Sequence, residues 1–363
     1  MNYNPPSHSK IILSILLKDI KQAVTDRTTL GVIIGVLMLL LPSQLVPMIL
    51  RNESAPQAVI LGHNTRALQD ELSEMEDISI YPARNFEEFN NAVVSGRSFV
   101  IGLVLPENFP TSTQGNQPAV LGAYFPHWAT KSEKSDLMRL FEEKIALAAN
   151  QAVEIRVRDD AIHPDKNTRG VETMFILQII NAIMIISLVL VPQLIMSEKE
   201  KHTLDVLLIS PANYADIVIG KGLTGFIYSS LGAGIVILMN QNIIAHWWVI
   251  LISALSGIVF AVLLGLLIGL LFNNIQQATF AMSIIVVSAM APAFILTILT
   301  VELPAFLQFL VNWSPSGKLS HLILMSLMKT VPRFDFLTAA GLIWGSNLVL
   351  FALCLWQVRK QSQ

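Results

Sequence analysis

Residues 247–272 read WWVILISALSGIVFAVLLGLLIGLLF, an apolar run without a single charged side chain. A helix rises about 1.5 Å per residue, so about 20 residues of this kind cross a hydrocarbon core about 30 Å thick. The run therefore predicts a membrane-spanning helix, around which the rest of the chain can be organised.

Further segments pass the same test, which gives six predicted spans in a chain of 363 residues. Composition agrees, because 53% of the residues are hydrophobic and only 14% are charged, whereas an ordinary soluble domain carries roughly 25% charged residues. Lys221 lies near the start of the third span, where a lysine can extend its ammonium group back to the membrane interface. The other predicted spans are residues 30–50, 174–196, 217–239, 278–299 and 337–356.

The charged residues concentrate in one insertion after the first predicted span. Positions 51–172 hold 12 of the 24 Lys and Arg and 18 of the 26 Asp and Glu. Short runs of β-type sequence alternate there with segments of helical composition, which predicts an α/β domain. The β-type runs are residues 58–61, 78–81, 99–104 and 119–121, and the helical segments are 65–75, 86–94 and about 133–158.

Lysine and arginine beside the spans give the predicted orientation, since cytoplasmic flanks carry an excess of them. With the N terminus inside, the inner flanks hold nine such residues and the short outer loops hold three. The predicted fold is thus an α-helical integral membrane protein with six transmembrane helices and an inserted extracytoplasmic α/β domain. Its parts are a cytoplasmic interfacial helix (1–29), the first span (30–50), the α/β domain (51–171) and a five-helix membrane region (172–363) with an outer loop at 300–336.

The N-terminal segment predicts an amphipathic helix over residues 10–27. Apolar residues such as Ile12 and Leu16 share one face, although Asp19 interrupts the pattern. Two interpretations stay open, a helix lying on the inner leaflet or a helical extension of the first span. A cleaved signal peptide with its core at 30–41 is disfavoured by the long segment before it.

The connection after the second span carries the clearest functional pattern. Residues 197–211 read SEKEKHTLDVLLISP, so charges exclude the segment from the bilayer. Leu204, Leu207 and Leu208 fall at i, i+3 and i+4, on one face of a short helix that ends before Pro211. An apolar face outside the membrane suits docking into the groove of a partner. The alternative, a solvated turn that only reverses the chain, stays open on composition alone.

The resemblance of this segment to a known family is specific. Glu198-Lys199-Glu200, Thr203-Leu204, Leu207-Leu208 and Ser210-Pro211, followed by Gly220-Lys221, resemble the signature of type-2 ATP-binding-cassette permeases, the membrane subunits of exporters. The order of parts is similar over essentially the whole chain. Leu303-Pro304 and Trp313-Ser314-Pro315 also resemble the corresponding outer segment, whereas His202 stands where many relatives have glycine.

The resemblance implies that a coupling segment, residues 197–213, sits in a cleft of a separate cytoplasmic ATPase and passes its movement to the spans. Glu198 and Glu200 would face basic groups of that subunit. It also implies a dimer with a second permease copy or a paralogue. ATP and Mg would be bound by the partner, and no cofactor is expected in this chain. The residues assigned to ATPase coupling are Glu198, Lys199, Glu200, Thr203, Leu204, Leu207, Leu208, Ser210, Pro211 and Lys221.

Other classes of function find little support. The sequence has no phosphate-binding loop, because Ala215 stands where the first glycine before Gly220-Lys221 would be. The seven histidines are scattered singly and there is one cysteine, so neither a metal site nor a catalytic site is predicted. The net charge of −2 provides no basic field for nucleic acid. We therefore predict that the chain is not an enzyme.

Polar and small residues inside the spans leave their roles open. None of the spans has an ionisable residue near its middle, as a proton-coupled carrier normally would. Gln178 and Asn181 are candidates for a substrate path, although interhelical hydrogen bonding is the commoner role of such groups. A stripe of small residues predicts close helix packing, either within the chain or between two copies. Its members are Gly257, Ala261, Gly265 and Gly269.

The predicted function is the permease subunit of an ATP-driven exporter in a bacterial plasma (inner) membrane, with both termini cytoplasmic. Its partners would be the ATPase, the second permease, the lipid bilayer and an accessory protein docking on the outer domain. One alternative is a sodium-extrusion permease of the same family, since a branch with a similar outer domain is associated with it. Another is a membrane-anchored enzyme with an extracytoplasmic catalytic domain. The sequence does not specify the substrate.

Overall fold

The computed structural model describes residues 8–25, 55–62, 66–75, 77–96, 99–106, 118–158, 161–165, 171–200, 213–298 and 303–361, with a few single positions between them. The predicted first span, residues 30–50, lies outside the described residues apart from isolated positions. Most of the coupling segment, residues 201–212, also lies outside them. The chain divides into two compact units, one of helices and one built around a sheet.

The sheet unit contains five strands among its described residues, in the order β2-β1-β3-β4-β5. Strand β1 pairs in parallel with β2 and β3, β4 runs antiparallel to β3, and β5 runs parallel to β4. Each of the four β-type runs of the sequence contributes one strand. The elements are β1 (Gln57–Leu61), α2 (Arg66–Ser73), β2 (Ser79–Ala83), α3 (Phe86–Ser95), β3 (Val100–Val104), β4 (Ala119–Tyr124), α4 (Lys131–Ala149) and β5 (Val153–Val157), and they follow the N-terminal helix α1 (His8–Thr25) of the helical unit.

The last strand corrects the prediction of one helix over residues 133–158. Helix α4 begins with a capping box, in which Thr130 and Glu133 each accept the backbone N–H of the other. It ends at Ala149 because Asn150 adopts the left-handed conformation, with a φ of 48°. Asparagine accepts this conformation more readily than most residues and can end a helix as glycine does. The β-branched residues that follow then pair with β4.

Both faces of the sheet carry apolar cores. Helices α2 and α4 cover one face, where Phe141 packs with strand residues such as Leu103. Helix α3 covers part of the other face through Phe89 and Val93. Gly102 is required there by close packing, because a Cβ atom at this position would lie 2.5 Å from the Phe89 ring.

The helical unit has a long helix at each of the predicted second to sixth spans. Five described helices are long and apolar enough to cross a membrane. The first of them contains a π-helical turn that ends two residues before Pro192, a residue that cannot donate a backbone hydrogen bond to the preceding turn. These helices are α5 (Val171–Ile185, the turn Ile186–Leu190 and Val191–Glu200), α6 (Tyr214–Met239), α7 (Trp247–Leu271), α8 (Ile275–Ile298) and α11 (Arg333–Gln361).

The predicted outer loop, residues 300–336, contains two short helices, α9 (Ala305–Trp313) and α10 (Pro315–Met325). Ser314 accepts the backbone N–H of Gly317 and so caps the start of α10, where Pro315 occupies the first turn. Helix α10 is largely buried, and Leu319 packs directly on Gly257 of α7. This stretch is therefore part of the helix packing rather than a simple connection.

The stripe of small residues on α7 packs within the chain. A Cβ atom at Gly265 would lie 2.7 Å from the backbone oxygen of Ser187, and one at Gly269 would lie 2.9 Å from Ile195. Both contacts are to α5, so the absence of side chains lets α7 and α5 approach closely. Of the two interpretations left open by the sequence, intrachain packing accounts for these positions.

Candidate functional site

The coupling residues that the structure describes are Glu198, Lys199, Glu200 and Lys221. They lie at the end of α5 and near the start of α6, the two helices that flank the coupling segment. Helix α1 and the end of α7 come to the same end of the helical unit. The other assigned residues, Thr203, Leu204, Leu207, Leu208, Ser210 and Pro211, lie outside the described residues.

Lys221 is at the centre of a buried ionic cluster. Its Nζ atom lies 3.0 Å from Oδ1 of Asp19 on α1 and 3.1 Å from Oε1 of Glu198 on α5. The side chains of Lys221 and Asp19 are each only 2% exposed. The expectation that Lys221 extends to the membrane interface is therefore wrong, because two carboxylates from neighbouring helices hold its ammonium group inside the protein.

Glu198 also differs from its predicted role. Its Oε1 atom accepts hydrogen bonds from both Lys221 and Lys18, the latter at 3.0 Å, and the residue is buried. A carboxylate held this way by its own chain does not face basic groups of another subunit, so that expectation is corrected. Glu200, in contrast, is exposed at the end of α5 and keeps a surface position. We call Lys18, Asp19, Glu198 and Lys221 the ionic hub.

The ionic hub explains why Asp19 interrupts the apolar face of the N-terminal helix. A buried carboxylate is costly unless it is paired, and Lys221 supplies the pairing charge. Burial nevertheless raises the pKa of Asp19, outweighing the attraction of Lys221, which lowers it. The Oδ2 atom of Asp19 meets no hydrogen-bond donor within the part of the chain that the structure describes.

Lys199 ties the same end of α5 to another helix. Its Nζ atom donates to the backbone oxygens of Gly269, Leu270 and Phe272, at 2.9, 3.3 and 2.8 Å. These oxygens belong to the end of α7, where a helix leaves carbonyl groups without partners and favours positive charge. The neighbouring residues Glu198 and Lys199 thus connect the end of α5 to α1, α6 and α7.

Helix α1 is held along α6 at two further points. His8 Nδ1 lies 2.9 Å from Oδ2 of Asp216, an oxygen that also accepts the backbone N–H of Asn213 at the start of α6. Ile15 packs against Gly220 so closely that a Cβ atom there would lie 2.8 Å from Ile15 Cγ2. These contacts fix the position of helix α1 along the first turns of α6.

The opposite side of α1 carries two apolar side chains that described residues do not cover, beside the exposed Lys10 and Ser14. Leu13 and Leu17 are 53% and 58% exposed, whereas Ile15 and Asp19 on the packed side are buried. The apolar pattern of the sequence therefore divides between α6 and the surface of the unit. Such a helix suits a position at the membrane interface, which was one of the two predicted roles.

Gln178 makes a contact between helices. Its Oε1 atom accepts a hydrogen bond of 3.3 Å from Nδ2 of Asn240, the residue that ends α6, and Gln178 is buried. Asn181 is half-buried. For Gln178 the structure thus shows the interhelical hydrogen bonding that sequence reasoning considered the commoner role.

Sequence reasoning assigned Lys221 and Glu198 to coupling but missed their partners Asp19 and Lys18. A signal was present, because Asp19 lies in an apolar face and Lys221 lies in an apolar span, with opposite charges. Two side chains of opposite charge in apolar surroundings are expected to form an ion pair when their helices pack together. The sequence does not say which helices pack, so the pairing needed the structure.

Among the described residues, no group of three or more His, Cys, Asp or Glu is arranged to hold a metal ion. The polar interactions at this end of the helices are instead ion pairs and the hydrogen bonds of Lys199 to the last carbonyl groups of α7. Several apolar helices, joined at one end by a buried ionic hub, define a multi-pass helical membrane protein.

Comparison with known families identifies the class more closely. The family described as ABC-2 family transporter protein matches residues 28–356, which is most of the chain. The chain therefore belongs to the ABC-2 transporter permease family. Membership implies a transport subunit that works with an ATP-binding subunit, rather than an enzyme. No curated protein and no solved structure matches the chain.

Proposed function

We propose that this chain is the membrane-spanning permease of an ATP-driven exporter, moving its substrate outward when paired with a separate cytoplasmic ATPase. The observation that carries the proposal is the set of contacts made by Glu198 and Lys199. These residues begin the coupling segment and bind α6 and α7 directly. A force applied to the segment therefore reaches several helices at once.

The coupling segment has the parts that docking requires. Leu204, Leu207 and Leu208 form one apolar face in the sequence, suited to a groove on the ATPase. Glu200 is exposed beside them and suits a basic group of that subunit. Closure of the ATPases around ATP would move the segment, and the bound ends of α5, α6 and α7 would rearrange with it.

The remaining parts of the proposal follow the family and the charges beside the spans. Residues 30–50 form the first span, both termini are cytoplasmic, and the α/β domain lies outside a bacterial plasma membrane. The permease works as a dimer with a second copy or a paralogue, and the outer domain offers a surface for an accessory protein. The uncharged middles of the spans favour an amphiphilic or lipid-like substrate over a small ion.

A double substitution tests the coupling role. Leu207→Asp with Leu208→Asp places charges on the apolar face and should abolish copurification of the ATPase, while the permease still inserts into the membrane. Val206→Asp is the matched control, because the helical period places it on the opposite face, and it should leave the complex intact. Copurification unchanged by the double substitution would remove the coupling role.

Reconstitution tests the transport role. The permease and its ATPase are placed in proteoliposomes, and candidate substrates, including lipids, amphiphilic drugs and sodium, are added. A substrate should stimulate ATP hydrolysis and accumulate on the outward side. Stimulation by sodium alone would favour the sodium-extrusion alternative.

A further inference from the structure

We propose that Asp19, Lys221 and Glu198 form a joint that makes helix α1 move together with the coupling segment. Helix α1 would then be a further element driven by the ATPase, in addition to α5 and α6. This inference rests on the proposed function, because it takes the coupling segment to be what the ATPase moves.

Charge balance argues that the three helices form one body. Helix α6 contributes a buried lysine, α5 contributes a buried glutamate, and α1 contributes the adjacent Lys18 and Asp19. The charges alternate in the order Asp19, Lys221, Glu198 and Lys18. Removing α1 from this arrangement would take one acid and one base away from groups that are otherwise buried. Without α1, Lys221 and Glu198 would stay paired with each other, but each would lose its second charged hydrogen-bond partner. Because lost hydrogen bonds of buried charged groups are costly, α1 should follow α5 and α6 rather than separate from them.

Helix α1 also reaches both ends of the coupling segment. At one end, Lys18 Nζ lies 3.0 Å from Glu198, near the start of the segment. At the other end, His8 lies 2.9 Å from Asp216, just after the segment at the start of α6. A movement of the segment as a whole is therefore felt at two points along α1, which can turn or shift the helix.

Between these two points, helices α1 and α6 pack in direct contact. Ile15 fills the space over Gly220, where even a methyl group would lie 2.8 Å from its Cγ2 atom. The bonds of the ionic hub thus act on a helix that is already in direct contact with the backbone of α6. The alternative is that the hub only stabilises the fold and transmits nothing, and a suitable experiment must separate these two roles.

The first experiment follows α1 through the ATPase cycle. The full chain, with Cys354→Ser and Ser14→Cys, is copurified with its ATPase in proteoliposomes, and the reaction of position 14 with a water-soluble maleimide is timed with and without Mg·ATP. Ser14 is exposed on α1 and lies outside the ionic hub. The reaction rate should change on ATP binding. An unchanged rate in an active complex would overturn the proposal.

Removing the charges that helix α1 contributes separates transmission from stability. Lys18→Met and Asp19→Asn are combined in the same background, which keeps the side chains similar in size and leaves Lys221 and Glu198 paired with each other. The double variant should bind the ATPase and hydrolyse ATP but lose the ATP-dependent change at position 14. Retention of that change would show that the hub is only structural.

A cross-link provides a second test that does not depend on the double variant. Ile15→Cys with Gly220→Cys places two sulfurs within bridging reach, because a Cβ atom at position 220 would lie 3.1 Å from Cβ of residue 15. A disulfide needs a separation of about 3.5–4.5 Å, so a small outward shift of the two helices suffices. If α1 and α6 move as one body, oxidation should leave ATP hydrolysis unchanged. Loss of hydrolysis on oxidation, restored by a reductant, would overturn the joint. Failure of the ATPase to copurify with the unsubstituted chain would instead overturn the proposed function.

Discussion

The Nζ atom of Lys199 on α5 lies 2.9 Å from the backbone oxygen of Gly269 on α7. A residue of the coupling segment therefore caps the end of a helix that is distant in sequence. The cap is matched by packing one turn away, where Gly269 itself lies against Ile195 of α5. The ends of α5 and α7 are thus fixed to each other by a charge-assisted contact and by close packing.

Replacing Lys199 tests the cap. Lys199→Met keeps the aliphatic stem but leaves the carbonyl groups of α7 without their donor, so the free energy of unfolding should fall by about 1.5–3 kcal/mol, the range for hydrogen bonds to charged groups. The measurement is the apparent melting temperature in detergent. Lys10→Met, on the exposed side of α1, is the control and should leave the temperature unchanged. Equal melting of both variants would show that the cap contributes no stability.

The small residues of α7 make a second prediction. Gly265→Ala places a methyl group 2.7 Å from the backbone oxygen of Ser187, and backbone cannot yield as a flexible side chain can. Overpacking of this kind typically costs about 1–3 kcal/mol, so the melting temperature should fall. Gly345→Ala on α11 is the matched control, because nothing described lies within 4 Å of the added atom. It should be neutral or slightly stabilising, since alanine favours a helix over glycine.

The spans could be predicted from the sequence because their signal is local. Length and hydropathy are enough to predict α7. Helix α6 could also be predicted as a span despite Lys221, because this charge lies near the start of the helix. The short helices α9 and α10 were not foreseen as separate elements, since each is too short to span and their burial depends on neighbours such as Gly257. Local pattern gives the spans, whereas packing between helices requires the structure.

Asn150 makes a third prediction and explains why β5 was missed. Its φ of 48° is available to glycine without strain, so Asn150→Gly should keep or slightly raise the stability of the sheet unit. Asn150→Ala should lower it by about 1–2 kcal/mol, the cost of the left-handed conformation for an ordinary residue. Denaturant unfolding of the full chain in detergent measures the difference. Equal stability of the two variants would mean that the helix end does not depend on this conformation.

The candidate site was only partly predictable for a related reason. Sequence resemblance drew attention to Glu198, Lys199 and Lys221, but assigned Glu198 to a partner subunit. The structure shows that Lys18 and Lys221 of the same chain bind it. Charged residues close to a coupling segment can serve the partner or the fold, and only the packing of α1 decides between these roles.

Removing the base of the ionic hub should be far more damaging than removing one acid. Lys221→Met leaves Asp19 and Glu198 buried without the lysine between them, and breaking a buried ion pair in this way costs about 3–5 kcal/mol. Asp19→Asn keeps an oxygen that accepts from Lys221, and Glu198 still neutralises the lysine, so its effect should be much smaller. Thermal unfolding in detergent compares the two. A greater loss from Asp19→Asn would contradict this account of the hub.

The raised pKa of Asp19 makes the stability of the hub depend on pH. A carboxyl group whose pKa is higher in the folded chain than its ordinary value of 3.8 binds a proton more tightly when folded. Its contribution to stability is therefore fully present below that ordinary value and is lost as pH rises through the folded pKa. Asp19→Asn has no such proton to lose.

The test is to follow the melting temperatures of the unsubstituted chain and Asp19→Asn from about pH 4 upward. The unsubstituted chain should lose stability relative to the variant as pH rises, until Asp19 is fully ionised. Asp77→Asn is a control in the opposite direction, because the hydrogen bond and charge of Lys144 lower the pKa of Asp77. The exposed ion pair of Asp77 and Lys144 contributes its full stability only above the ordinary pKa of Asp77. The melting temperature of the unsubstituted chain should therefore rise relative to that of Asp77→Asn as pH rises. Parallel curves for Asp19→Asn and the unsubstituted chain would show that Asp19 ionises in the folded chain as it does in the unfolded one.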